Sequence, residues 1–320
     1  MQPPVPPPAQ SGRPRRPEQH RRIVAVVVTF NRLALLQRLV ERLAKVAEVD
    51  EVVVVDNAST DGTGEWLDRQ AREPGVVAHR LDRNRGGAGG FHEGLRVALD
   101  RGADLVWLMD DDGLPEPDSL ALLLEHDGEL DFWGPVVVEE DDPDRLVFPI
   151  RLPGGTRVVH RMAEVEAAAT DGMIRDLVIP FNGVLVTRDL VERIGLVREE
   201  FFIWGDDHEY RLRAERAGAR IATVTGARVL HPRVGDLGTP LMLGRTTYNH
   251  SPSDLKHYCM ARNNTVNLRD YRGWPHVLMF LVKTIWFYTL TRRDPGRLLM
   301  SLRAMRDGLR GDFTGHERYL

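Results

Sequence analysis

Apolar positions along this chain fall into alternating rhythms. Residues 23–30, IVAVVVTF, form a continuous run rich in β-branched side chains, the pattern of a strand covered on both faces. In the following NRLALLQRLVERLAKVAEV, Leu33, Leu36, Leu39, Val40, Leu43 and Val46 recur at helical spacing, which predicts an amphipathic helix. EVVVVDN at 51–57 reads as a buried strand again. Strand, helix and strand make a βαβ unit, and with it a parallel sheet joined by a right-handed crossover.

A second unit repeats the rhythm. STDGTGEWLDRQ predicts a turn and helix, VVAHRLD a short strand, GFHEGLRVALDRG a helix and DLVWLMD another strand. After residue 112 the alternation breaks. FWGPVVV and RVV look like additions to the sheet, AEVEAAATDGM is weakly helical, and VIPFNGVLVTRDLVERIG returns to strand then helix. RIATVTGARVLHP gives a last strand ending at His231. From about residue 236 the pattern turns to loop and then helices. WPHVLMFLVKTIWFYTL is the most apolar stretch of this tail; it is too short to span a bilayer and carries Lys283, so it predicts a packing helix, with an interfacial membrane helix as the alternative. The expected organisation is a Pro/Arg-rich disordered extension over 1–22, an α/β catalytic domain over 23–235 and a helical region over 236–320.

Composition narrows the function. The 320 residues carry a formal net charge of −4, which argues against a nucleic-acid binder. The single cysteine, Cys259, excludes an intrachain disulfide and a thiolate metal cage, fits a reducing compartment and leaves oxygen and nitrogen as the available ligands. The first residues, MQPPVPPPAQ, lack the apolar core of a signal peptide. Only three of the 43 basic residues are lysines, and none lies between Lys45 and Lys256, so no Gly-Lys-Ser/Thr phosphate loop is present. A dinucleotide fingerprint is absent as well: TFNR has no glycine after the first strand, and His92 stands where GGAGGFH would need its last one.

Open α/β sheets bind ligands beyond the carboxyl ends of their strands. Here those ends carry Thr29, Asn31 and Arg32, then Asp56 and Asn57, the loop RNRGGAGG (83–90), and Asp110-Asp111-Asp112. Three adjacent carboxylates after an apolar strand repel one another and call for a compensating cation. Asp110 and Asp112, one residue apart, suit a nucleoside diphosphate held through its ribose and through a hard cation on its two phosphates. The plain alternative is an acidic turn that caps a helix at 115–119. In RNRGGAGG, Arg83 and Asn84 precede glycines that let backbone N–H groups approach an anion, although a tight turn explains the run equally well.

A second acidic cluster lies in FFIWGDDHEYRLR (201–213). Asp206 reads as a helix cap, Asp207 as a general base for an acceptor hydroxyl, and Trp204 as a flat wall for a sugar. His231 is either a structural hydrogen-bonder or a third protein ligand beside Asp110 and Asp112; in the second case its nitrogen favours Mn²⁺ over Mg²⁺.

Taken together, VVVTFNR, VVVDNASTDGT, RNRGGAGG, the aspartate triplet and WGDDHEYRLR resemble glycosyltransferase family 2, with the GT-A fold, in that family's order and spacing across about 23–235. Within the family, WLMDDDG, DDPDRLVFP, FNGVL, DDHEYRLR, VLHP and TRRDP are similar to the actinobacterial galactofuranosyltransferases that begin cell-wall galactan synthesis. The resemblance implies a mostly parallel GT-A sheet flanked by helices, with a helical C-terminal part. It implies a donor set of Thr29, Asn31, Asp56, Arg83, Asn84, Gly89, Gly90 and Asp110, and a metal set of Asp110, Asp112 and His231 for Mn²⁺ or Mg²⁺. It makes Asp207 the catalytic base and places Trp204, Asp206 and His208 at the acceptor. The implied donor is UDP-galactofuranose and the acceptor a rhamnose-ended, polyprenyl-diphosphate-linked glycan, reached by peripheral contact with the inner face of the cell membrane. Two departures stand out: the triplet leaves open which aspartate is the closer ligand, and Gly205 precedes the acidic pair where the related polymerising enzyme has tryptophan. A rhamnosyltransferase on the same scaffold, and a sugar-nucleotide binder without catalysis, are the competing readings. The tail leaves a homo-oligomer open.

Overall fold

The computed structural model describes residues 21–234, 238–241 and 246–320. Most of the extension expected at 1–22 lies outside them, as do parts of the loop after 235. Arg21 and Arg22 are described, and the Arg22 N–H donates to Asp104 Oδ2 at 2.8 Å.

Strands β1 (Ile23–Thr29), β2 (Glu51–Asp56), β3 (Val76–Arg80) and β4 (Leu105–Asp110) pair in parallel in the order β3-β2-β1-β4. Between them run α1 (Leu33–Leu43), α2 (Thr63–Gln70) and α3 (Gly86–Asp100), as the βαβ rhythm predicts. The unbroken apolar run of β1 has a simple cause. Val24, Val26 and Val28 face a core with Phe91 and Leu95 of α3, while Ala25 and Val27 face a second core with Leu36 and Leu39 of α1. Successive strand residues point to opposite faces, so a sheet covered on both sides needs apolar residues at every position.

Helix α3 begins at Gly86, four residues earlier than the apolar pattern suggests. Asn84 Oδ1 accepts the Gly86 N–H at 2.8 Å and Asn57 Oδ1 accepts the Arg85 N–H at 3.1 Å, so two side chains start the helix inside the glycine run.

Beyond β4 come β5 (Leu114–Pro115), α4 (Ser119–Leu124), β6 (Phe132–Glu139), β7 (Arg145–Arg151), β8 (Val158–Arg161), α5 (Met162–Ala168), β9 (Met173–Arg175), β10 (Asn182–Thr187), α6 (Arg188–Ile194), α7 (Asp206–Arg216) and β11 (Ile221–His231). The sheet continues β4-β10-β6-β11-β5; β10 runs antiparallel to both its neighbours, and β11 is parallel to β6. Strand β7 escapes the periodicity reading because Pro149 and flanking arginines interrupt its apolar positions.

The tail holds a β-hairpin (Thr239–Leu241 with Thr246–Tyr248) and helices α8 (Asp254–Asn267), α9 (Trp274–Trp286) and α10 (Pro295–Arg310). Helix α8 drives buried polar side chains into the catalytic region: Arg262 and Asn263 are fully buried. Helix α9 departs from the packing-helix expectation. Only Val277 and Thr284 are buried along it, while Trp274, Leu278, Met279, Val282, Ile285 and Trp286 are exposed. No helix among the described residues is long and apolar enough to cross a membrane.

Candidate active site

The carboxyl ends of β1, β4 and β11 and the start of β10 share one edge of the sheet, where they open on a cleft of about 530 Å³. Both acidic clusters reach it: Asp110, Asp111 and Asp112 from the end of β4, Asp206 and Asp207 from the start of α7.

The triplet divides its work. Asp111 is buried and turned toward β1, accepting from the Thr29 hydroxyl at 2.7 Å and from Arg32 Nη1 at 3.1 Å. Asp112 faces the cleft, with Oδ2 2.5 Å from Arg32 Nη1 and Oδ1 3.2 Å from His231 Nε2. His231 donates from Nδ1 to the Pro232 carbonyl at 2.6 Å, which orients Nε2 toward the carboxylate. Phe148 meets the ring edge-on at 5.6 Å.

Charge follows position. Burial opposes ionisation of Asp112, but the hydrogen bond and charge of His231, then of Arg32, outweigh it and hold the carboxyl at about 2. Burial likewise opposes the His231 cation, and Asp112 more than offsets it, raising the imidazole above its ordinary value. Asp110 lies well above the usual carboxylate range, through burial first and then repulsion from Asp112, Asp111 and Asp206. This repulsion joins the two acidic clusters into one electrostatic site.

The donor set fits a divalent cation. Neighbouring positions around a metal with bonds of about 2.1 Å lie roughly 3 Å apart, which matches the spacing of Asp112 Oδ1 and His231 Nε2. A carboxylate and an imidazole beside Asp110 suit Mn²⁺ or Mg²⁺, with the nitrogen favouring Mn²⁺. Among the described residues no three His, Cys, Asp or Glu side chains close into a cage, so the other positions would fall to phosphate oxygens and water.

The second cluster rides on a strained loop. Phe202 and Trp204 sit at φ of 64° and 66°, and Gly205 at 83°. Helix α8 holds them there: Asn263 Nδ2 faces the carbonyls of Phe201 at 2.9 Å and Trp204 at 2.6 Å, Arg262 Nη2 donates to Phe201 at 2.8 Å, and Asn267 Nδ2 to Gly205 at 2.8 Å. Burial, then repulsion from Asp207, pushes Asp206 up to about 8. Asp207 is half-buried and raised above its ordinary value, mainly by burial, with the N–H of His208 donating to it at 2.6 Å. Burial thus raises both carboxyls of this pair, Asp206 further by repulsion, so the two titrate together and do not both ionise freely.

Comparison with known proteins gives this geometry a setting. Residues 24–168 match the model for glycosyl transferase family 2. Galactofuranosyltransferase GlfT1 of Mycobacterium tuberculosis is 34% identical over 298 residues, 91% of this chain and 96% of that one. The chain belongs to glycosyl transferase family 2. Two further relatives frame the family's breadth. GlfT1 of Mycolicibacterium smegmatis is 31% identical over 91% of this chain and 97% of its own. The dTDP-rhamnosyl transferase RfbF of Shigella flexneri is 26% identical over 93% and 98%. Among solved structures, the mannosyltransferase PcManGT of Pyrobaculum calidifontis, in complex with GDP-Man and Mn²⁺, aligns with a TM-score of 0.51 at 20% identity, over 93% of this chain and 77% of that one. GalNAc-T7 with UDP, GalNAc and Mn²⁺ aligns at 0.54 and 17% identity, over 86% and 57%. The fold is GT-A.

Within this glycosyltransferase the remaining expected residues take different positions. Thr29, Asn84, Asp110, Asp112, Trp204, Asp206, Asp207 and His231 line the cleft. Asn31, at φ 53°, ties the loop after β1 to that after β2 by accepting from the Thr60 N–H at 2.7 Å. Asp56 is fully buried and does not line the cleft, with Oδ1 accepting from the Ser59 N–H at 2.9 Å and Oδ2 3.6 Å from Arg80 Nε. Arg83 is exposed and lines a neighbouring hollow. Gly89 and Gly90 pack inward, where a Cβ would strike Arg85 and Val28; it is Gly86 and Gly87 that face the cleft. His208 lies on the far side of Asp207, in a second cavity.

The sequence assigns no role to two cleft residues: Arg32, although it stands at the end of the first strand, and Lys256. Arg32 clamps Asp111 and Asp112 from the end of β1. Lys256 enters the cleft from α8, more than 20 residues beyond the last motif of the catalytic domain.

Proposed function

We propose that this family 2 enzyme transfers galactofuranose from UDP-galactofuranose to a rhamnose-ended, polyprenyl-diphosphate-linked acceptor in cell-wall galactan synthesis, with inversion and with a divalent cation. The observation that carries the reaction type is the meeting of Asp112 and His231, 3.2 Å apart, with Asp206 and Asp207 on one cleft. Support for the sugar comes from the likeness to GlfT1 proteins over nine-tenths of the chain.

In this reading Asp112 and His231, with Asp110 beside them, would hold the cation, whose chemistry there would be to offset negative charge on a departing diphosphate. His231 first and then Arg32 keep Asp112 ionised, and the Thr29 hydroxyl fixes Asp111 by its hydrogen bond. Lys256 adds a positive group to the cleft wall. Asp207 takes the proton of the acceptor hydroxyl as its oxygen attacks the anomeric carbon opposite the leaving group, and Asp206, kept protonated, spares it a neighbouring charge. Trp204 supplies the stacking wall. One displacement suffices, with no covalent enzyme intermediate. The exposed apolar side of α9 and nearby Arg292 and Arg293 suit contact with the anionic inner face of the cell membrane, where a lipid-linked acceptor resides.

A rhamnosyl donor is the second reading, favoured by the end-to-end likeness to RfbF. Titration of UDP-galactofuranose, UDP-galactopyranose and dTDP-rhamnose into the protein, with and without Mn²⁺, decides between them. Metal-dependent binding of UDP-galactofuranose alone is expected; preference for dTDP-rhamnose replaces the donor and keeps the chemistry.

A further inference from the structure

Strand β10 opens with a break in its own pattern. Asn182 pairs with Met109 of β4, but the next pair is Val184 with Leu108, so Gly183 is an extra residue on β10. Such a bulge bends a strand and re-aims the side chain beside it. Strict alternation would send residue 182 into the core with Val184 and Val186; the bulge takes it out of that phase. Gly183 has a φ of 78°, and a Cβ there would lie 2.9 Å from the Val229 side chain, so the position suits glycine alone.

Phe181, just before Asn182, is strained as well. Its φ of 60° is an outlier for an aromatic residue. Its ring stacks on Phe91 at 4.1 Å and its carbonyl accepts the Asp110 N–H at 3.1 Å, while the Gly183 carbonyl accepts from Trp107 Nε1 at 2.8 Å. Contacts from α3 and β4 therefore hold an unfavourable backbone in place on both sides of one amide. Asn182 lines the cleft, yet it is only 8% exposed. Its Nδ2 donates to the Pro180 carbonyl at 2.9 Å. No donor among the described residues is bonded to Oδ1, and that oxygen is not sealed inside the protein, so the acceptor shows its surface to the cleft. A largely buried acceptor is unfavourable unless something bonds it.

The position of this amide names its partner. Asp112 and His231 mark the diphosphate end of the donor, Asp207 marks the attacking hydroxyl, and the transferred sugar must lie between them. Asp110, repelled by both Asp112 and Asp206, stands between the two clusters, and Asn182 begins the strand beside it.

We propose that Asn182 reads the donor sugar: its Oδ1 accepts a hydrogen bond from one hydroxyl of the transferred residue and so selects which sugar is moved. The inference rests on the glycosyl-transfer reading above and adds to it a residue that sets donor specificity. A site built to bond a hydroxyl rejects the analogue that lacks it, because its own polar atom is then left unpaired. A neutral amide suits a neutral sugar; a uronate would turn its charge on Oδ1 and on Asp110.

Calorimetric titration of the full chain in the presence of Mn²⁺ tests this with UDP, UDP-galactofuranose and the analogues of that sugar nucleotide that each lack one sugar hydroxyl. The wild type should bind one analogue about tenfold more weakly than the parent, the scale of one well-made hydrogen bond. Asn182→Ala should bind UDP as the wild type does, bind UDP-galactofuranose about tenfold more weakly, and treat that analogue and the parent alike. Asn182→Ser keeps a short acceptor and should regain part of the difference; it carries the test where the alanine variant does not fold. Equal losses for UDP and UDP-galactofuranose would mean that Asn182 supports the cleft and reads nothing, which overturns the proposal. An undiminished penalty for the analogue in Asn182→Ala overturns it too. Failure of the galactofuranosyl reading appears differently, as wild-type binding of UDP-galactofuranose no tighter than UDP while dTDP-rhamnose binds tighter than dTDP. The Asn182→Ala comparison made on that second pair then decides the role of Asn182.

Discussion

The Asn263 side-chain amide lies 2.6 Å from the carbonyl of Trp204, a residue held at a φ of 66°. A non-glycine residue in the left-handed region persists only where its surroundings over-determine it. Here the surroundings come from the C-terminal helices, so the tail is part of how the candidate base is positioned. Asn263→Ala removes the side-chain donor to the carbonyls of Trp204 and Ile203 in a part-buried site, while the Phe201 carbonyl keeps Arg262. We expect a loss of about 1–3 kcal/mol, the cost of unsatisfied buried polar groups, in urea unfolding. Transfer should fall roughly 10²-fold, as for a catalytic group misplaced by about 1 Å. Full activity in a folded Asn263→Ala protein would show that the loop holds itself.

Asp207→Asn removes the carboxylate and keeps its shape. Transfer should drop by about 10²–10⁴, the range for a lost general base, with the affinity for UDP and Mn²⁺ intact. A folded variant that turns over at the normal rate would move the base elsewhere in the cleft.

Asp112→Ala and His231→Ala separate metal from nucleotide. Each should weaken Mn²⁺-dependent UDP binding by at least about tenfold, a loss seen even when an outer-shell partner of a metal is removed. Chelation should reduce the wild-type protein to the same level. If chelator leaves UDP binding by the wild type unchanged, the diphosphate is held without a cation.

The buried Asp206 makes stability depend on pH in a definite direction. Its carboxyl is raised from an ordinary 3.8 to about 8, so between those values the folded chain keeps a proton that the unfolded chain has released. Its contribution is complete below about pH 4 and is lost as pH rises through about 8. Asp206→Asn should flatten the fall in melting temperature over that window, measured by circular dichroism. Identical pH profiles for the two proteins would mean that the Asp206 proton is not held.

The parallel half of the fold was legible because buried parallel strands must be apolar at every position, as 23–28 and 52–55 are, and because α1 alternates faces cleanly. The aspartate triplet and WGDD were legible as chemistry because runs of carboxylates have no place in a core without compensation. Other features depend on contacts that span the chain. The division of labour between Asp111 and Asp112 is set by Thr29 and Arg32, about 80 residues away. Gly89 and Gly90 look identical to Gly86 and Gly87 in sequence; only helix phase decides which pair meets Val28 and Arg85 and which meets the cleft. Lys256 and the α8 clamp were illegible because helix α8 carries polar residues all round, and its Arg262 and Asn263 bury against a loop 60 residues earlier.

Gly86 touches the carbonyl of Phe202 so closely that any side chain there would collide with it, and the N–H of Ala88 donates to the same oxygen at 3.0 Å. The glycine loop that lines the cleft and the loop bearing the candidate base are thereby set at one spacing when the chain folds. The entropy of ordering these two loops against each other is spent in folding, before any ligand enters the gap between them.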